Sequence, residues 1–173
     1  MKKIAYIIAY KNFRDEEYFI PREILEGLDI KVDTYSDQKG KARGSEGGDV
    51  LVENLKDIKV NDYDGVVVAG GGGALKHLDN DEVRSLMNEF REKGKLISAI
   101  CIAPVILARA GLLKGKRATV WTSGLDKSAV KILKKNGADY VDEDIVSDGK
   151  IITANGPEAA KKFGKHIVAN LSG

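Results

Sequence analysis

Short apolar runs alternate with stretches of helical periodicity along all 173 residues. A continuous apolar run such as Val66–Val68, within Gly65–Ala69, predicts a strand that is covered on both faces. In Asp81–Lys93 the apolar residues recur every three or four positions, which predicts a helix with one face in a core. Because strands that alternate with helices favour right-handed crossovers, the pattern predicts an α/β protein in which helix layers cover both faces of a mostly parallel sheet.

The elements expected from this pattern cover most of the chain, which we interpret as a single domain over residues 1–173. Strands are predicted at Ile4–Ala9, Ile30–Tyr35, Val50–Val52, Gly65–Ala69, Leu96–Ile100 and Arg117–Trp121, and around residues 140–141, 145–147 and 151–154. Helices are predicted at Glu17–Gly27 (with Ile20, Ile24 and Leu28 on one face), Asp81–Lys93, Ala103–Ala110 and Asp126–Asn136, and from Pro157 to about Asn170. The segment Gln38–Asp49 is rich in glycine and charge, which indicates a loop or a small hairpin.

Parallel sheets of this kind carry their sites at the carboxyl ends of the strands. By that rule Ala9, Gly70, Cys101 and Trp121 should lie on one rim of the sheet.

Cys101, the only cysteine, stands where the strand Leu96–Ile100 passes into the next helix. A sulfur on such a strand-to-helix turn is held out at the top of the sheet, and the amide dipoles of the following helix favour its thiolate. Pro104 supports this interpretation because proline is tolerated only in the first turn of a helix. The alternative is a buried structural cysteine at the end of a strand, the common state of a free cysteine.

Four glycines, Gly70–Gly73, follow the strand that ends at Ala69. Glycine lets a backbone amide approach a ligand closely, so an amide near Gly71 and the Ile102 amide could form an oxyanion hole beside Cys101. The alternatives are a flexible turn before the next helix and a phosphate cradle. The spacing of the glycines does not match a nucleotide-binding motif.

Glu17 is the candidate acid. Asp15 and Glu16 also precede the first helix, where acids ordinarily complement the helix dipole. Pro21 distinguishes Glu17, because the proline ring clashes with the carbonyl four residues earlier. We therefore expect the helix to kink at Glu17 or to begin just after it, near the rim that holds Cys101. A carboxyl group held against a thiolate should have a raised pKa and could move protons.

Other chemistry finds little support in the composition. The 28 basic and 26 acidic residues are interspersed, which gives no patch for nucleic acid. His77 and His166 are scattered, so no zinc ligand set can be assembled with one cysteine, and no metal or cofactor is expected. A single cysteine fits a reducing compartment, and the apolar N-terminus is interpreted as a strand rather than a signal peptide or membrane segment. A cytoplasmic location is therefore expected.

The motifs together resemble the ThiJ/PfpI family, which includes intracellular cysteine peptidase-like proteins and the Parkinsonism-linked deglycase. The resemblance rests on Ala-Ile-Cys-x-x-Pro at Ala99–Pro104, the Val-Val-Val-x-Gly-Gly strand end, Glu17 four residues before Pro21, and Gly156-Pro157 before the last helix. It implies a flavodoxin-like, class I glutaminase-like sandwich and a homo-oligomer, a dimer or larger.

Carried over by position, the resemblance implies that Cys101 is the nucleophile and Glu17 the acid contacting it, with oxyanion amides from Gly71 and Ile102. Gly70, Gly72, Trp121, Asn155 and Gly156 would then line the pocket. The chain departs from the family pattern at four positions. Ile102 and Trp121 stand where subgroups carry histidine, Asn155 where arginine is frequent, and Ala103 where glycine is common. A Cys-His-acid triad is therefore not visible, and a Cys-Glu pair remains.

Three functions are compatible with such a pair. The first is a cofactor-free enzyme of the glyoxalase or deglycase type acting on small reactive carbonyls, with a PfpI-like hydrolase or peptidase as a branch. The second is a redox-responsive protective or chaperone-like protein that senses oxidants through Cys101. The third is a binding or scaffold domain that retains the fold without the chemistry.

Overall fold

A computed structural model describes residues 1–173. The strands are β1 Lys3–Ile7, β2 Lys11–Phe13, β3 Lys31–Ser36, β4 Gly40–Gly44, β5 Asp49–Asn54, β6 Gly65–Val68, β7 Leu96–Ile100, β8 Arg117–Ala118, β9 Asp139–Tyr140, β10 Ile145–Asp148 and β11 Ile151–Ala154. The α-helices are α1 Asp15–Glu26, α2 Ala74–His77, α3 Asp81–Glu92, α4 Pro104–Arg109, α5 Ser128–Lys135 and α6 Ala160–Ser172. Short 3₁₀ turns occupy Leu55–Asp57, Val60–Asp62 and Pro157–Ala159.

Nine strands form one sheet in the order β10-β11-β7-β6-β1-β3-β5-β4-β2. The strands from β11 to β5 are parallel to their neighbours, while β10 and β4 join antiparallel. One face packs against α1 and α6, and the other against α3, α4 and α5. The predicted α/β sandwich with helices on both faces is confirmed. The longest helix, α6, has 13 residues, and no helix combines the length and apolar character needed to cross a bilayer.

The strand predicted at Arg117–Trp121 is confirmed only for its first two residues. Arg117 and Ala118 form β8, which pairs with β9 in a separate two-stranded sheet. The chain leaves the strand because its next amides find other acceptors: the Thr119 amide donates to the Thr153 hydroxyl at 2.9 Å, and the Trp121 amide donates to the Cys101 carbonyl at 2.8 Å. The second bond still brings Trp121 to the predicted rim.

Two features near the N-terminus also differ from expectation. The strand β2 was not predicted, whereas Gln38–Asp49 forms the hairpin alternative through β4 and β5. Helix α1 begins at Asp15, two residues before the predicted start. The prediction of its apolar face is wrong as well, because Ile20 is 37% exposed and Leu28 is 58% exposed. Contact with the sheet and α6 instead buries Glu17, Tyr18, Pro21 and Leu25.

Candidate active site

Cys101 occupies a strained turn between β7 and α4. Its φ of 64° lies in the left-handed region, which non-glycine residues rarely adopt. Two backbone hydrogen bonds of 2.8 Å fix the turn, one from the Cys101 amide to the Ala154 carbonyl and one from the Trp121 amide to the Cys101 carbonyl. The side chain is partly exposed rather than enclosed in the core. This geometry is that of a nucleophile elbow and not of a structural cysteine.

The Glu17 side chain lies fully buried beside this elbow. Its Oε1 accepts a hydrogen bond of 2.9 Å from the Gly70 amide, while Oε2 is buried without a regular hydrogen bond. The side chain that interacts with this carboxyl group is the Cys101 thiol. Gly70 separates the two groups, and a Cβ there would lie 2.7 Å from Glu17 Oε1 and 2.8 Å from Cys101 Cβ. A glycine at position 70 is therefore what lets the carboxyl group and the sulfur share one site.

Tyr6 compensates for the proline in α1. Pro21 lies inside the helix and has no amide hydrogen, so the Glu17 carbonyl loses its usual donor four residues later. The buried hydroxyl of Tyr6 donates to this carbonyl instead. The helix thus continues through the position where a kink or start was expected, and β1 holds the backbone of Glu17 directly.

We expect Tyr6→Phe to lower the free energy of unfolding by about 1–3 kcal/mol, because it leaves the buried Glu17 carbonyl without a donor. Pro21→Ala restores an amide hydrogen at the helical position, so the double variant should lose less than the sum of the single variants, with a coupling of at least about 0.5 kcal/mol. Urea unfolding of the four proteins measures this coupling. Tyr10→Phe, which removes a partly exposed hydroxyl, is the matched control; strict additivity would contradict the compensation.

Burial raises the pKa of Glu17 to about 7, although hydrogen bonds with Cys101 and the Gly70 amide oppose the shift. Burial and the adjacent Glu17 carboxylate likewise raise the pKa of the Cys101 thiol, against the lowering effect of the Ile102 amide. The expectation that the amide dipoles of the next helix favour the thiolate is therefore wrong: α4 has only six residues, and burial together with the Glu17 carboxylate outweighs the lowering effect of the Ile102 amide on the thiol pKa. The two groups titrate as a pair that holds one proton near neutral pH.

The raised pKa of Glu17 makes folding depend on pH. The folded protein retains a proton on this carboxyl group from pH 4.5, where the free side chain releases it, up to about pH 7. The stability that this protonation provides is thus complete below pH 4.5 and is lost as the pH rises through about 7.

Glu17→Gln removes the penalty of burying a charge. The free energy of unfolding of the variant minus that of the wild type should therefore increase by up to about 3 kcal/mol from about pH 5 to pH 8.5, as urea titrations can measure. The same comparison in a Cys101→Ala background isolates the carboxyl group from the thiol, and a constant difference at both pH values would refute the assignment.

The glycine loop, Gly70–Gly73, packs closely against the backbone at Arg14 and also presents a backbone amide that has no backbone acceptor. Gly71 has a φ of 109°, and a Cβ there would lie 2.4 Å from the Arg14 amide nitrogen. Neither the Gly71 nor the Ile102 amide donates to another backbone carbonyl, and the Ile102 amide interacts with the sulfur. The two amides stand on the two loops that flank Cys101. They are therefore available to stabilise an oxyanion next to the thiol.

These groups open into a cavity of about 440 Å³. Its lining residues are Arg14, Glu17, Ser45, Gly71, Gly72, Leu75, Cys101, Ile102, Trp121 and Pro157. The sequence-predicted residues Cys101, Glu17, Gly71, Ile102, Gly72 and Trp121 thus meet in one place. Gly70 does not line the cavity, and its contribution is the backbone amide that donates to Glu17 Oε1.

Two predicted pocket residues stand aside. Asn155 pairs with Asp144, its amide donating to the Asp144 carbonyl at 3.0 Å and its side chain lowering the pKa of the Asp144 carboxyl group, so it does not line the cavity. Gly156 is buried behind the Trp121 ring: a Cβ atom at position 156 would lie 3.8 Å from Cδ1 of Trp121. His77 lies 3.9 Å from Asp37, and His166 is exposed on α6. No three His, Cys, Asp or Glu side chains lie close enough together to hold a metal ion.

Sequence reasoning missed Arg14 and Ser45 because a long-range contact places them. Ser45 follows β4, and the turn after it is fixed to α1 by Asp15. The two carboxylate oxygens of Asp15 accept hydrogen bonds from the Glu46 and Gly48 amides at 2.9 and 2.8 Å. The acid that seemed only to complement a helix dipole therefore anchors the hairpin at the mouth of the cavity.

Comparison with known proteins identifies the family of this chain. The model of the DJ-1/PfpI family matches residues 2–170. The chain belongs to the DJ-1/PfpI family. An uncharacterized protein of Methanocaldococcus jannaschii is 43% identical over 168 residues, 96% of this chain and 80% of that protein. The crystal structure of a ThiJ/PfpI domain protein from Brachyspira murdochii is 30% identical, covers 98% of this chain and 96% of its own, and superposes with a TM-score of 0.92.

Two other DJ-1/PfpI relatives have names that state an activity. A deglycase of Thermococcus kodakarensis is 28% identical over 87% of this chain and 89% of its own length. A glutathione-independent glyoxalase of Caenorhabditis elegans is 31% identical over 69% of this chain and 61% of its own length. The family and its flavodoxin-like fold are therefore shown for this chain, and the resemblance stated from its motifs is confirmed.

Proposed function

We propose that this protein converts small α-oxoaldehydes, such as methylglyoxal, into hydroxy acids, using Cys101 and Glu17 without a histidine. The observation that carries the proposal is the buried Glu17 carboxyl group, with a pKa of about 7, beside a thiol on a strained elbow. A group with a pKa near neutrality can both donate and accept protons during turnover. The activity names of the two relatives support the same chemistry.

The first step forms a carbon–sulfur bond. The thiol proton passes to Glu17, the sulfur adds to the aldehyde carbon, and protonated Glu17 returns the proton to the aldehyde oxygen, which gives a hemithioacetal. The Gly71 and Ile102 amides are placed to stabilise the negative oxygen while it exists. The singly protonated pair is thus the form that reacts.

The second step moves hydrogen between adjacent carbons. The Glu17 carboxylate removes the hydrogen of the former aldehyde carbon as a proton and passes it to the ketone oxygen, which gives an enediol. The hydroxyl group on the former aldehyde carbon then releases its proton to Glu17, which passes it to the second carbon, and a hydroxyacyl thioester of Cys101 forms. Water hydrolyses the thioester, so methylglyoxal and water become lactate and the free thiol returns. The aldehyde carbon is oxidised and its neighbour reduced, so no external oxidant is consumed.

Incubation of the purified protein with methylglyoxal tests the proposal. Lactate should form catalytically, in many turnovers per protein molecule, and the rate should fall as the pH drops below about 7, where the pair binds a second proton. Preformed methylglyoxal adducts of amines distinguish a deglycase from a glyoxalase by whether they react faster than free methylglyoxal. Peptide and amide substrates cover the hydrolase branch. Absence of lactate would end the proposal.

A redox role is the second candidate, favoured by the partly exposed single thiol against a carboxyl group that can donate a hydrogen bond. Two molecules of peroxide would oxidise the thiol to a sulfinic acid and be reduced to water. Protonated Glu17 would then bond a sulfinate oxygen. Intact mass after mild peroxide should show two added oxygen atoms on Cys101, and fewer on the Glu17→Leu variant. An unchanged mass of the wild type counts against this role.

The homo-oligomer and the cytoplasmic location stay predictions. Phe19 and Ile20 on α1 and Leu28 just after it are exposed, a pattern compatible with burial against a second copy. Light scattering coupled to size exclusion measures the assembly directly.

A further inference from the structure

Arg14 is the one cationic side chain that lines the cavity with Cys101. It stands between β2 and α1, and its amide donates to the Gly70 carbonyl at 3.1 Å, which ties its backbone to the glycine loop. Its charge acts on both reactive groups, since it lowers the pKa of Glu17 and of Cys101. A ligand bound at the sulfur therefore shares its cavity with a guanidinium group.

Much of this guanidinium group is free to bind a ligand. Its Nε donates to Glu16 at 2.6 Å, and Nη2 lies 3.8 Å from Glu46, beyond hydrogen-bond distance. Nη1 makes no hydrogen bond within the protein. Glu16 and Glu46 are partly exposed to water and do not line the cavity. The two terminal nitrogens thus keep the donors that arginine uses to hold a carboxylate in a forked pair.

Arg14 is the only residue of the cavity lining that can form an ion pair with an anionic ligand. Glu17 is the only acidic lining residue; because its carboxyl group and Cys101 hold one proton near neutral pH, the pair carries one negative charge, which the charge of Arg14 balances. Ser45 adds a hydroxyl group, while Leu75, Ile102 and Trp121 provide apolar surface. A volume of about 440 Å³ exceeds the needs of a three-carbon aldehyde and leaves room for a longer chain with a charged end.

We propose that Arg14 is a specificity-determining residue that binds a carboxylate, so that the preferred substrates are α-oxoaldehydes with an acidic group a few bonds from the reacting carbonyl. This inference rests on the proposed function for its chemistry. 4,5-Dioxopentanoate has the required form, and the steps above convert it with one water molecule into 2-hydroxyglutarate. The same guanidinium group would hold the distal carboxylate before and after the reaction.

Turnover of two substrates tests the preference. Wild-type kcat/KM should be higher for 4,5-dioxopentanoate than for methylglyoxal. Arg14→Gln should lower kcat/KM for the carboxylated substrate about tenfold or more. The fold-loss for methylglyoxal should be several times smaller, because an ionic hydrogen bond is lost only with the anion. Arg14→Lys, which retains the charge without the fork, should fall between. Arg43→Gln removes a nearby exposed cation outside the cavity and serves as control. Equal losses for both substrates would overturn the proposal.

Alkylation of the single cysteine tests the anchor without turnover. Iodoacetate and iodoacetamide differ in charge but hardly in size, so the ratio of their rates with Cys101 reports an anion site. Arg14→Gln should lower this ratio about tenfold, whereas Arg43→Gln should leave it near the wild-type value. A lowered ratio without any lactate formation would refute the proposed enzyme and retain the anion site. An unchanged ratio would refute the anion site even in an active enzyme.

Discussion

Replacing Cys101 with alanine is expected to lower the rate of lactate formation from methylglyoxal by at least about a thousandfold. Without the sulfur no hemithioacetal forms, and the carboxyl group that remains has no bound carbon to act on. Alanine keeps the Cβ atom and meets the same backbone requirement at a φ of 64°. The loss should therefore come from chemistry, with a melting temperature close to that of the wild type. A coupled assay for lactate, read beside thermal unfolding, measures both effects.

Cys101→Ser is the matched variant, because it retains a potential nucleophile of similar shape but much lower reactivity. It should be nearly as inactive as alanine, since no histidine lines the cavity to activate a hydroxyl group. Alkylation of the wild type with iodoacetamide should abolish lactate formation in proportion to the label, because the chain contains one cysteine. Substantial activity in the alanine variant would show that the sulfur is not the nucleophile.

Glu17→Gln is the second large change, with an expected fall in kcat of about 10²–10⁴-fold. Glutamine fits the space and can still accept the bond from the Gly70 amide, but it can neither take the thiol proton nor remove hydrogen from carbon. The wild-type rate should decline as the pH falls below about 7, and this dependence should disappear from the residual activity of the variant. Stopped assays from about pH 5 to pH 9 record both profiles.

Glu23→Gln is the control for acidic charge on α1, because Glu23 is exposed and lies outside the cavity. Its rate should remain within about threefold of the wild type. Glu17→Asp separates chemistry from reach, since it retains an acid but shortens the side chain by one methylene. A pH profile that is identical in wild type and Glu17→Gln would show that another group moves the protons.

The parts of the site that lie on regular elements could be predicted from sequence. An apolar strand that runs into Cys101 and then Pro104 has one reasonable geometry, because proline restricts where the helix starts. Pro21 likewise pointed to Glu17, although for a reason that the structure modifies: the freed carbonyl is bound by Tyr6, so the helix is preserved. No sequence pattern announces a donor supplied from a neighbouring strand.

The parts that depend on distant contacts could not be predicted. Arg14 and Ser45 reach the cavity through contacts between distant parts of the chain: the Arg14 amide donates to the Gly70 carbonyl, and Asp15 binds the turn that follows Ser45. Asn155 seemed close to the site by chain order, yet its side chain turns to Asp144. The thiol pKa was misjudged because the sequence predicts the helix dipole and the neighbouring acid but not how deeply the sulfur is buried, and burial is the largest cause of its raised pKa.

The backbone conformation at Cys101 also affects which substitutions at this position selection would favour. A side chain in the left-handed region costs roughly 1–2 kcal/mol relative to glycine, which adopts it freely. Selection for durability alone would accordingly replace this residue with glycine and gain melting temperature. Under the proposed function, a cysteine at this position is a stability–activity trade-off, in which heat resistance is given up for reactivity at one residue.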